Sequence, residues 1–144
     1  MNITHQLKIK ASPEVIYNAV ATQEGIASWW SKDCNVGSSE GEKSLLKFNK
    51  EGTIVEMGFR TATLNPNKKV VWDCTENGNP AWIGTQIVTE ISNAEDEGSQ
   101  VTFSHAGFDE KWNGQEPFEM TKQGWGHFVN SLVSYCEKGV GQPW

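Results

Sequence analysis

His105 is the residue of this sequence best suited by type to acid–base chemistry. It closes an alternating run in which Val101, Phe103 and His105 are separated by Thr102 and Ser104. A two-residue period places all three on one face of a strand and reads His105 as the only histidine of the chain directed inward. A neutral imidazole there could orient a ligand hydroxyl or act as a general base near neutral pH. A structural histidine satisfied by backbone or by a helix partner fits the same pattern, because no other histidine and no clear carboxylate falls on that face. Asp109, Glu110 and Glu116 follow in the loop before the last helical stretch. A carboxylate there could serve as acid or base, and solvated loop charge or a helix N-terminus accounts for the same residues.

Other chemistries lack their residues. Cys34, Cys74 and Cys136 are an odd number at wide spacings, with no CxxC pair and no neighbouring histidine. They read as reduced thiols packed like small hydrophobes, neither a zinc site nor a disulfide framework. His5 and His127 read as surface or half-buried positions. No nucleophile elbow, phosphate-binding glycine loop or paired-carboxylate motif occurs. Gly124-Trp125-Gly126 lacks the third glycine and the preceding strand of a dinucleotide fingerprint, so the residues imply neither metal nor cofactor. A net charge of −6 without a basic cluster argues against nucleic acid as a partner. No apolar run approaches the roughly 20 residues that span a bilayer, and Met1 to Lys10 alternates polar with apolar instead of forming a leader. The expectation is a cytoplasmic chain without membrane insertion.

The elements that must position these residues are legible from periodicity. Ile3, Leu7 and Ile9 mark a strand. Ser12 caps a short helix with Pro13 in its first turn and Val15, Ile16, Ala19 and Val20 on its apolar stripe. Thr22 caps a second, running through Gly25 and Ile26 to Trp29 and Trp30. Asp33 to Val36 suggests a brief strand, and Gly37 to Gly41 a loop. Leu45, Leu46 and Phe48 then form a strand, Asn49 to Gly52 a turn, and Thr53 to Thr63 a strand with Val55, Met57 and Phe59 on one face. After the Asn65-Pro66-Asn67 turn come Val70 to Cys74, ended by Asn77-Gly78-Asn79-Pro80. Ile83, Thr85, Ile87, Thr89 and Ile91 predict a long strand joined by an acidic loop, Glu95 to Gly98, to the strand carrying His105. From Glu116 a three- and four-residue period through Phe118, Thr121, Trp125, Phe128, Val129, Leu132 and Cys136 predicts a helix of about 22 residues, ended by Gly139 and Gly141. Gly124 and Gly126 inside it are explained either by close approach of a ligand or strand, or by tight packing or a kink. At 144 residues the chain reads as a single domain over 1–144, an α+β fold of antiparallel sheet with helices on one face.

Two segments carry a family resemblance. Thr102-Phe103-Ser104-His105-Ala106-Gly107-Phe108, and Gly124-Trp125-Gly126-His127-Phe128-Val129-Asn130-Ser131-Leu132 continuing from Tyr135 to Pro143, resemble the last strand and last helix of the SRPBCC superfamily. That superfamily includes START lipid-transfer domains, birch-pollen-allergen proteins and polyketide cyclases. Ala11-Ser12-Pro13-Glu14-Val15-Ile16-Tyr17 and Trp29-Trp30 are similar to the opening of its branch of activator-of-heat-shock-chaperone-ATPase homologues. The resemblance covers nearly the whole chain. It implies a helix-grip fold, a curved sheet wrapped around the C-terminal helix over a cavity.

On that fold the concave face would carry Phe48, Val55, Met57, Phe59, Trp72, Ile87, Val101, Phe103 and His105, facing Trp125, Phe128 and Leu132. The expected function is binding of a small hydrophobic molecule, lipid, aromatic or polyketide-like, in a cavity of a few hundred Å³. The ligand-facing residues expected are Phe48, Val55, Met57, Phe59, Trp72, Phe103, His105, Trp125, Phe128 and Leu132. A filled core fits the same alternation. Two other functions follow from the resemblance: an enzyme of the cyclase or hydrolase type with His105 as its acid or base, and a co-chaperone that stimulates a chaperone ATPase.

Overall fold

The computed structural model describes residues 1–144. Strand β1 (Ile3–Ile9) leads into helix α1 (Pro13–Ala21) and helix α2 (Gln23–Trp29), and six strands follow: β2 (Asp33–Asn35), β3 (Lys43–Lys50), β4 (Thr53–Asn65), β5 (Lys69–Asn77), β6 (Gln86–Asn93) and β7 (Ser99–Ala106). Helix α3 (Glu116–Lys138) comes last. Both short helices start where their caps dictate: Ser12 accepts a hydrogen bond from Val15 N, and Thr22 from Gly25 N. The seven strands form one antiparallel sheet in the order β1-β7-β6-β5-β4-β3-β2. Consecutive strands pair as a meander, and β1 closes the far edge against β7. This is the helix-grip arrangement.

Alternation determines which face the helices cover. Leu46 and Phe48 on β3, Met57 and Phe59 on β4, Val70, Trp72 and Cys74 on β5, Ile87 and Ile91 on β6, and Val101, Phe103 and His105 on β7 are all buried. From α3 the turns at Phe118, Thr121, Trp125, Val129, Leu132 and Cys136 meet them. Strand β4 bends at register shifts between Met57 and Phe59 and between Thr61 and Thr63, the kind of irregularity that curls a sheet around a helix. Helix α3 stops at Gly139, whose φ of 78° is left-handed and whose N–H returns to Tyr135 O at 2.8 Å.

Two expectations need correction. Ile83 and Thr85 do not extend β6: Pro80–Trp82 forms a 3₁₀ turn, Ile83 is 58% exposed, and pairing begins at Gln86. The alternating side chains there imitate a strand across a turn that Asn79 caps through Ala81 N. His5 also shares the inward face, since it stands directly opposite Phe103 in the β1–β7 register. Its place on the edge strand leaves it half-buried.

Candidate functional site

The sheet and α3 do not meet everywhere. Between the first half of α3, the outer strands β3 and β4, and the β5–β6 connection lies a cavity of about 400 Å³. Phe48, Val55 and Met57 form its sheet wall, and Met120, Thr121, Gly124, Trp125 and Phe128 its helix wall. Asn79, Pro80 and Trp82 from the β5–β6 connection, Trp30 from the turn after α2, and Lys50, Glu116 and Trp144 complete the lining. The size lies in the range of small-molecule sites, and the lining is predominantly aromatic.

The structure divides the ten residues expected to face a ligand. Phe48, Val55, Met57, Trp125 and Phe128 line the cavity. Phe59, Trp72, Phe103, His105 and Leu132 do not. They belong to the filled core behind it, where Phe59 packs at a tilt on Trp72 at 5.1 Å and Phe103 edge-on to Trp125 at 5.0 Å, centroid to centroid, and Leu132 is wholly buried. One face of a strand runs past both void and packed core, so parity cannot separate them.

His105 is fully buried, and its hydrogen bonds fix its protonation. Trp125 Nε1 donates to Nδ1 at 2.9 Å. An indole nitrogen can only donate, so Nδ1 is the bare nitrogen and Nε2 carries the hydrogen. Nε2 lies 2.7 Å from Thr85 Oγ1, which donates in turn to Trp82 O. Cys74 Sγ lies 3.8 Å from the same Nε2. Burial pushes the pKa of the imidazole down to about 3 and that of the Cys74 thiol up to about 12. Both groups are therefore neutral near pH 7, and the histidine's lone pair is occupied. The arrangement positions side chains and offers no general base. It ties α3 to β7 through Trp125 and holds the β5–β6 connection through Thr85.

Several other polar groups around the cavity bond within the protein. Trp82 Nε1 donates to Thr121 Oγ1 at 2.8 Å, and Asn79 Nδ2 donates to Pro117 O at 3.1 Å. These bonds pin the β5–β6 connection to the start of α3, and Trp82 stacks on Trp125 with centroids 5.8 Å apart. Trp144 Nε1 donates to Asn49 O at 2.8 Å, with Lys50 Nζ 5.6 Å from its ring centroid. Asp109 caps its own turn through Lys111 N, and the three cysteines are free and buried. No group of three or more His, Cys, Asp or Glu side chains could hold a metal ion.

Sequence reasoning did not place Trp30, Asn79, Trp82 and Trp144 at the site. Asn79 and Trp82 lie in a turn without periodicity, and the only signal was Asn77-Gly78-Asn79-Pro80, which announces a turn and not its position over α3. Gly124 lines the cavity, and a Cβ at either Gly124 or Gly126 would meet nothing within 4 Å. No strand or packed side chain crowds either position, so close approach of a strand and tight packing do not explain these glycines.

A curved antiparallel sheet gripping a long C-terminal helix beside an aromatic-walled cavity defines a helix-grip domain of the SRPBCC superfamily. Within it, the chain belongs to the family described as Activator of Hsp90 ATPase homolog 1-like protein, whose model matches residues 10–137. It is similar to the Aha1 dimer from Colwellia psychrerythraea, known from a solution structure, at 33% identity and a TM-score of 0.79, over 98% of this chain and 99% of that one. A protein from Staphylococcus saprophyticus shares the fold at 20% identity and a TM-score of 0.75, over 99% and 96% of the two chains. CalU16 from Micromonospora echinospora does so at 16% and 0.70, over 93% and 73%. Comparison with the curated proteins gives no match. No helix is long and apolar enough to cross a membrane.

Proposed function

We propose that this domain binds a small, largely apolar molecule in the cavity between α3 and strands β3 and β4. The observation that carries this reading is the cavity itself: about 400 Å³ of space walled by Trp30, Phe48, Trp82, Trp125 and Phe128. A cleft of this size with a mostly aromatic wall and few polar groups is the usual form of a small-molecule site. His105, on which a catalytic reading rests, has no free lone pair, which supports binding over a reaction that uses it. Native and denaturing mass spectrometry of freshly purified protein tests this. A discrete mass excess that disappears on denaturation is expected. A clean apo mass, together with no uptake of an added apolar probe, would overturn the reading.

The family description and the Aha1 name of the Colwellia psychrerythraea relative favour a second reading, a partner role with a chaperone ATPase. Adding the purified domain to the chaperone should then raise its ATP turnover, and an unchanged rate rejects the role.

A further inference from the structure

Trp144 lines the cavity and is 48% exposed, so its ring stands between that space and solvent. The other exposed lining residues are held by their surroundings. Lys50 belongs to β3, Glu116 and Met120 to α3, and Gly78 and Pro80 to the β5–β6 connection, which Asn79 and Trp82 pin on α3. Trp144 belongs to no helix or strand. The chain reaches it from Gly139 in two differently anchored steps. Gly141 passes too close to the Ser28 carbonyl and Trp29 to admit a Cβ, and Gln142 N donates to Ser131 Oγ at 2.7 Å. Ser131 is itself buried and donates to Trp29 O at 2.7 Å, so this step is fixed to the core. Pro143 follows, with no N–H to donate. Beyond it the attachment is slight. Trp144 N donates to Trp30 O at 2.9 Å and Nε1 to Asn49 O at 2.8 Å, while the ring meets Phe48 edge-on at 6.5 Å, centroid to centroid. Two hydrogen bonds of ordinary net strength favour this closed position by roughly 30-fold, which leaves an open form populated at about a few per cent.

We propose that Trp144 is a latch on this cavity. Closed, it covers the occupant against β3; released by backbone rotation at Pro143 and Trp144, it lets molecules enter and leave. The proposal rests on reading the cavity as a small-molecule site and adds how that site exchanges its occupant. The Gln142 anchor stays in place during release, so α2 and α3 remain packed while the ring moves.

A latch and a wall differ kinetically. Losing a wall speeds departure and leaves entry unchanged, whereas losing a latch speeds both. Stopped-flow fluorescence with N-phenyl-1-naphthylamine separates the two in wild type, in Trp144→Phe, which loses the Asn49 bond, and in Trp144→Ala, which loses bond and ring. Both variants alter a half-exposed side chain outside the core, so the fold is retained. Association and dissociation rate constants should rise together, about fivefold in Trp144→Phe for one lost hydrogen bond and about tenfold in Trp144→Ala. The dissociation constant should change by less than about threefold, because the two rates move in parallel. An association rate constant unchanged in both variants overturns the latch while leaving the cavity as the binding site. No binding of the probe to wild type or to either variant overturns the cavity reading along with it.

Discussion

His105 shows how burial converts a catalytic residue type into a structural one. Its pKa of about 3 in the fold, against an ordinary 6.5, means that the unfolded chain takes up a proton between those values that the native state refuses. Stability should therefore fall as pH drops from about 6.5 towards 3 and be insensitive to this group above 6.5, with a steepest slope of about 1.4 kcal/mol per pH unit. Urea unfolding of wild type and His105→Gln at pH 7 and pH 4.5 isolates this proton, since the other titrating groups are common to both. The variant should lose less stability on acidification than wild type, and equal losses would refute a neutral buried imidazole. Trp125, its partner, is 2% exposed and stands between core and cavity. Trp125→Ala should cost about 3 to 5 kcal/mol, read from the urea midpoint. A variant as stable as wild type would contradict its placement.

At the scale of elements, α3 serves as both core helix and cavity wall, and its glycines separate the two roles. A Cβ at Gly124 or Gly126 meets open space, so Gly124→Ala and Gly126→Ala should each raise stability by up to about 1 kcal/mol through helix propensity alone. Gly124→Phe should in addition fill the cavity and abolish uptake of an apolar probe, while Gly126→Phe should not, because only Gly124 lines the void. Probe fluorescence on the two variants checks this, and equal uptake would place the site elsewhere. The segment after α3 depends on another glycine. Gly141 passes against α2 so closely that a Cβ would run into the Ser28 carbonyl and crowd Trp29. Gly141→Ala should displace Gln142, whose N–H bonds Ser131 Oγ, and loosen Trp144 from the Trp30 carbonyl.

The whole molecule divides into a closed half and an open half. Toward β1, β6 and β7 the sheet packs on α1, α2 and the latter part of α3 without space for a ligand. Toward β3 and β4 the bent sheet and the first turns of α3 diverge. An occupant of that gap binds the native state and not the unfolded chain, so it should raise the midpoint of thermal unfolding in a concentration-dependent way. The stabilisation should approach about 2.7 kcal/mol at a hundred times the dissociation constant. Thermal scans with increasing amounts of an apolar aromatic probe measure it, and an unmoved midpoint at saturating probe would argue against a native-state site.

Local signals determined much of this protein before any contact was known. Ser12 and Thr22 announced two helices, Gly139 ended a third, and the two-residue alternation of β3, β4 and β7 announced which side chains turn inward. These are interactions within a few residues, so the sequence carries them whole. Local pattern also misled where a turn imitated it, as at Ile83 and Thr85. What only the tertiary structure decided is where the inward face is filled and where it is empty. Phe48 and Phe103 have the same parity and the same chemistry, yet one borders a void and the other touches Trp29 and Trp125. That difference arises where β4 bends and the sheet parts from α3, a result of pairing and packing across the entire sheet. The same holds for His105: whether its two nitrogens are engaged depends on Thr85 and Trp125, each 20 positions away, and no spacing in the sequence encodes that contact.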